Sequence, residues 1–70
     1  MKEVQSTMAG VVLMISVADG DIVSTGQTVV MLESMKMEIP VESLEAGKVT
    51  EVKVAVGDFV NEGDVLLILE

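Results

Sequence analysis

Seventy residues carrying twelve acids against four lysines give a net charge of −8, which repels nucleic acid and anionic membrane surfaces. The chain has no cysteine and no histidine, and so no disulfide framework, no thiolate zinc site and no Ser-His-Asp or Cys-His arrangement. Phe59 is its single aromatic residue, so it has no platform on which bases could stack. The longest apolar runs, "VVLMI" from Val11 and "VLLIL" from Val65, are far too short to span a bilayer, and "MKEVQST" lacks a signal-peptide core. These features predict one small cytoplasmic domain, a monomer in isolation, poorly equipped for catalysis.

Fourteen valines and four isoleucines favour strands, and no stretch sustains a helical period. In the first half the predicted strands are Lys2–Thr7, Val11–Val17, Asp21–Val23 and Thr28–Glu33. Val11, Leu13, Ile15 and Val17 alternate and are expected on one face of the second strand. Gly20 and Gly26 fall in the turns that follow, where a positive φ is anticipated.

The second half repeats the first. Val4 to Glu33 lies on Val41 to Glu70 without a gap, and 13 of the 30 positions are identical, among them Gly10/Gly47, Gly20/Gly57, Gly26/Gly63 and Asp21/Asp58. Chance gives roughly two or three matches over that length, so the chain is an internal duplication. Neither half can bury its apolar face alone. The prediction is therefore an all-β domain over residues 1–70: a flattened eight-stranded barrel or sandwich of two four-stranded antiparallel sheets, with a pseudo-twofold axis relating repeats 4–33 and 41–70. The duplicated Gly-Asp pairs read as turn chemistry rather than as metal or catalytic carboxylates.

Only residues 34–40, "SMKMEIP", stand between the copies. So short a link between strands is a hairpin, which holds Lys36 at an exposed tip remote from the chain ends. Met35 and Met37 share a side if the segment is extended. They either cover the end of the barrel or form a soft apolar rim for recognition. Glu33 and Glu38 flank them as solubilising charges, weak partners of Lys36 or recognition residues.

Met35-Lys36-Met37, preceded by Gly26-Gln27, Val29 and Leu32 and followed by Val41 and Ser43, resembles the biotinyl/lipoyl attachment domains. So does "MAGVV" at Met8. These domains are the carrier modules of biotin-dependent carboxylases and 2-oxo acid dehydrogenases, and the resemblance covers the whole chain. It implies that Lys36 carries biotin in amide linkage, attached by a biotin protein ligase, and that the domain shuttles carboxyl groups between a biotin carboxylase and a carboxyltransferase without being an enzyme itself. The alternative is lipoate on Lys36, attached by a lipoyl ligase in place of biotin or alongside it. Ser34 stands where biotin carriers usually have alanine, and Thr7 where many have proline. The turn after Val17 is only "ADG", without the thumb insertion of some bacterial carriers, which leaves cofactor selectivity to Met35 and Met37. A start on Met-Lys-Glu directly before the first strand favours a free-standing carrier.

Overall fold

Eight strands follow one another in the computed structural model, which describes residues 2–70. They are β1 (Lys2–Gln5), β2 (Gly10–Ile15), β3 (Ile22–Val23), β4 (Thr28–Ser34), β5 (Met37–Glu42), β6 (Gly47–Val52), β7 (Phe59–Val60) and β8 (Val65–Leu69). Met1, included in the predicted domain, lies outside the described residues. No helix among the described residues is long and apolar enough to cross a membrane.

The strands form two four-stranded antiparallel sheets, ordered β1-β8-β6-β3 and β5-β4-β2-β7. Advancing every strand by four places converts one order into the other, so the topology has the twofold symmetry that the repeat implies. The halves do not each make a sheet. Each sheet takes two strands from each repeat, so the copies are interleaved and neither has a core of its own. One apolar cluster fills the space between the sheets, including Val4, Val12, Val23, Leu32, Val41, Val49, Val60, Leu66 and Leu69.

The expected alternation in β2 is broken. Val12, not Val11, points into the core, while Val11 and Met14 are exposed. Partners run Val12↔Leu32 and then Met14↔Met31, so Leu13 is an extra residue that shifts the phase of the strand. Ile15 and Val17 return to the interior beyond it. The same device occurs in β6, where Val49↔Leu69 is followed by Glu51↔Ile68 and Thr50 is skipped. Val29 in β4 and Leu66 in β8 are skipped likewise, at equivalent positions. Such bulges bend and twist a strand, which allows two short sheets to wrap around one core.

The turns repeat with the strands. Asp21 Oδ2 accepts a hydrogen bond from the Ala18 amide at 2.9 Å, and Asp58 Oδ2 accepts one from the Ala55 amide at 2.9 Å. Each carboxylate closes its own turn, as the sequence reading assigned. Gly20 and Gly57 adopt φ of 93° and 96°, with Gly26 and Gly63 close behind at 85° and 90°. Gly20 N–H and Gly57 N–H donate to the Val49 and Val12 carbonyls, at 2.7 and 2.8 Å, tying each turn to a strand of the other repeat.

Gly10 and Gly47 have a separate reason to be glycine. A Cβ on Gly10 would sit 2.8 Å from the Glu33 carbonyl oxygen, and one on Gly47 would sit 2.8 Å from the Glu70 carbonyl oxygen. Gly10 thus lets β2 press against the end of β4 that leads into the hairpin.

Candidate functional site: the Met35-Lys36 hairpin

β4 and β5 pair from Thr28↔Glu42 to Ser34↔Met37, so their ladder closes much further than the seven-residue link suggested. Only Met35 and Lys36 remain outside it. They form a two-residue hairpin loop, with φ of 52° at Met35 and 64° at Lys36. Positive φ at both central positions is the signature of a type I′ turn, whose twist matches the strands that it joins. Asn-Gly is the usual occupant. Side chains with a Cβ pay about 1–2 kcal/mol each to sit in this region, so the chain holds two unsuitable residues in a strained turn. Strain of this kind collects at functional sites.

Lys36 is exposed at the second corner of the turn. Among the described residues the only salt bridge joins Lys53 to Glu51, and Lys36 has no acidic partner within salt-bridge distance. The expected weak pairing with Glu33 or Glu38 does not form, and those two residues are register partners across the ladder. Like charges directly opposite are unfavourable, although weakly so when solvated. This repulsion lies one residue pair below the turn.

Met35 is 90% exposed and Met37 60%, so they do not cover the end of the barrel. The segment is not extended either, because the chain reverses at Met35 and Lys36. Two solvated thioether side chains therefore flank the amine on a rigid mount. Ser34 is half-buried where the ladder ends. Gln27 and Ser43, also part of the pattern, serve the scaffold. Gln27 Oε1 accepts from the Ser24 amide at 3.0 Å, and the buried Ser43 hydroxyl donates to the Glu45 carbonyl. Their equivalents do the same work, Asp64 accepting from the Asn61 amide and Ser6 donating to the Met8 carbonyl.

Residues 2 and 69, at the two chain ends, pair as Lys2↔Leu69. That pairing is the pseudo-twofold counterpart of the β4–β5 ladder, so the fold offers two equivalent tips. One is closed by the Met35-Lys36 turn, and the other is where the chain enters and leaves. The sequence reading missed the positive φ of Met35 and Lys36, because neither residue advertises it. It also missed the outer face of the hairpin's sheet, where Val11, Met14 and Phe59 are exposed.

This geometry agrees with what the chain resembles. Residues 2–69 match the family model described as biotin-requiring enzyme. A biotinylated protein TB7.3 homolog from Mycolicibacterium smegmatis is 48% identical over 40 residues, which are 57% of this chain and 56% of that protein. The chain thus spans little more than half of that relative's length. The urea carboxylase of Kluyveromyces lactis contains a region of the same fold, with a TM-score of 0.90 and 30% identity over 99% of this chain. A single-chain, multi-domain long-chain acyl-CoA carboxylase contains another, with a TM-score of 0.86 and 30% identity over 94% of this chain. In both cases the match occupies 6% of the larger protein. With nearly every described residue inside the family match and the hairpin at its centre, the chain belongs to the biotinyl/lipoyl attachment family, as a biotin-requiring domain like those of the carboxylases.

Proposed function

We propose that residues 1–70 act as a single biotin carrier domain in which Lys36 is the attachment site. One observation carries this reading: a solvated, unpaired amine at the corner of a strained two-residue turn on an otherwise rigid duplicated body. The name of the mycobacterial relative supports biotin over the lipoate alternative. In the modification step the Lys36 amine attacks the acyl carbon of a biotinyl-adenylate supplied by a biotin protein ligase. An amide forms, AMP leaves, and the amine gives up its proton. The chain needs no base or oxyanion site of its own for this, since the ligase provides the activated acyl group. Its contribution is to fix Nζ in place and keep it accessible. Met35 and Met37 form the apolar rim that the ligase reads, and Glu33 and Glu38 add charge to that recognition.

Biotin held in this way supplies a ureido nitrogen that takes up and gives up a carboxyl group. Around it the domain does the work of a tether. The long lysine-biotin arm reaches a biotin carboxylase and then a carboxyltransferase in the cytoplasm, at an effective concentration up to roughly millimolar. In the carboxyl transfers the domain supplies no catalytic group of its own.

The test is intact mass spectrometry after incubation with purified biotin protein ligase, biotin and ATP. Wild type gains the mass of one biotinyl group. Lys36→Arg gains none, while Lys2→Arg, Lys48→Arg and Lys53→Arg are labelled as wild type is. Equal labelling of Lys36→Arg would overturn the assignment.

A further inference from the structure

The internal repeat lets one sheet serve as the control for the other. Where only the fold constrains a position, the two copies should use similar residues. On the outer face of the hairpin's sheet the pairings Phe59↔Val11, Met14↔Met31 and Met31↔Pro40 place five apolar side chains together, directly beside Glu33↔Glu38. The corresponding positions on the other sheet are Ile22, Lys48, Glu51, Ile68 and Glu3, paired in the same way. Three of the five are charged there, and Ile68 is only 7% exposed among them. On the hairpin's sheet, Lys48, Glu51 and Glu3 are replaced by Val11, Met14 and Pro40. Phe59 is 64% exposed and Met14 52%. The fold does not require this substitution, since its own duplicate does without it. A chain of net charge −8 would also gain solubility from charges at these positions.

We propose that this face is the surface on which the biotin protein ligase docks, a proposal that rests on the carrier reading of Lys36. The patch spans about 14 Å across four strands and about 7 Å along them, and Lys36 stands two residues, or about 7 Å, beyond Glu38, the partner of Glu33. Both fall within the roughly 800 Å² that one partner contributes to a standard interface. The ligase is the enzyme that must bring its bound adenylate to bonding distance of Nζ, so its surface closes directly over the hairpin and the sheet next to it. A carboxylase meets the far end of a long arm and is free to hold the carrier body at a distance. Charge selects the partner's chemistry. The rim formed by Glu33 and Glu38 calls for an apolar patch edged by lysine or arginine, and it opposes a second copy of this acidic chain.

The experiment grafts one sheet's residues onto the other. Val11→Lys with Met14→Glu gives the hairpin's sheet the residues that the duplicate already tolerates, so the fold is kept, as circular dichroism verifies. Lys48→Val with Glu51→Met is the reverse graft. Rates of biotin transfer to the domain are measured against domain concentration, with ligase, biotin and ATP. The first graft raises KM for the domain about tenfold with kcat unchanged, and the reverse graft stays within twofold of wild type. A KM within twofold of wild type for the first graft overturns the proposal. So does a graft that changes only the KM of the biotinylated domain as substrate of a biotin carboxylase, or only a self-association seen in sedimentation. Failure of wild type itself to accept biotin overturns the carrier reading, and this proposal with it, and is recognised by its independence of the graft.

Discussion

Replacing Met35-Lys36 by Asn-Gly should make this domain more stable while removing the proposed attachment lysine. Both residues have positive φ, at 52° and 64°, and each Cβ costs about 1–2 kcal/mol in that region. Met35 is 90% exposed and Lys36 has no ion pair, so removing them forfeits little packing or charge. Glycine returns about 0.4–1 kcal/mol of that gain through the greater freedom of the unfolded chain. The net gain for Met35→Asn with Lys36→Gly is about 1–2 kcal/mol, against a total of about 4–10 kcal/mol for a chain of this size. In a domain of this length 1 kcal/mol moves Tm by about 4–8 °C, so the melt should rise by about 5–15 °C. Calorimetry or thermal circular dichroism reads this directly, and chemical denaturation gives the free energy. The single variant Met35→Gly, which keeps Lys36, should gain up to about 1 kcal/mol. A Tm at or below the wild-type value in both variants would refute the strained-turn reading. It would mean that the turn is relaxed, or that the thioethers pack in a way their exposure denies.

Gly10→Ala should lose about 1–3 kcal/mol in urea denaturation, because a Cβ 2.8 Å from the Glu33 carbonyl has backbone in front of it and no soft side chain to displace. Gly47→Ala meets the Glu70 carbonyl at the same distance and should behave alike, so a neutral result for either would show that the sheets have slack there. Asp21→Ala and Asp58→Ala each remove one side-chain acceptor from a turn amide and should cost similar amounts, about 1 kcal/mol, without altering the biotin-transfer rate. A loss of transfer rate in one of the two would point to work beyond closing a turn.

The duplication, the all-strand composition, the glycine turns and the position of Lys36 between the copies were all legible in the sequence. These are local or periodic signals, and a gapless 37-residue shift aligns them without knowledge of any contact. The interleaving of the repeats was not legible. β1 pairs with β8 across nearly the full chain and β3 with β6 in the other repeat, and such pairings are selected by burial of a shared core rather than by neighbouring residues. The bulges at Leu13, Val29, Thr50 and Leu66 were hidden for the same reason, since an apolar run shows no phase shift until a partner strand fixes the register. Register also decides which of Val11 and Val12 meets solvent, and hence that an apolar face exists beside the hairpin at all. At the site the division is sharpest. The sequence nominated one lysine, but nothing in Met-Lys foretells a left-handed backbone. That conformation is imposed by a ladder that closes as far as Ser34↔Met37 and leaves two residues to reverse the chain.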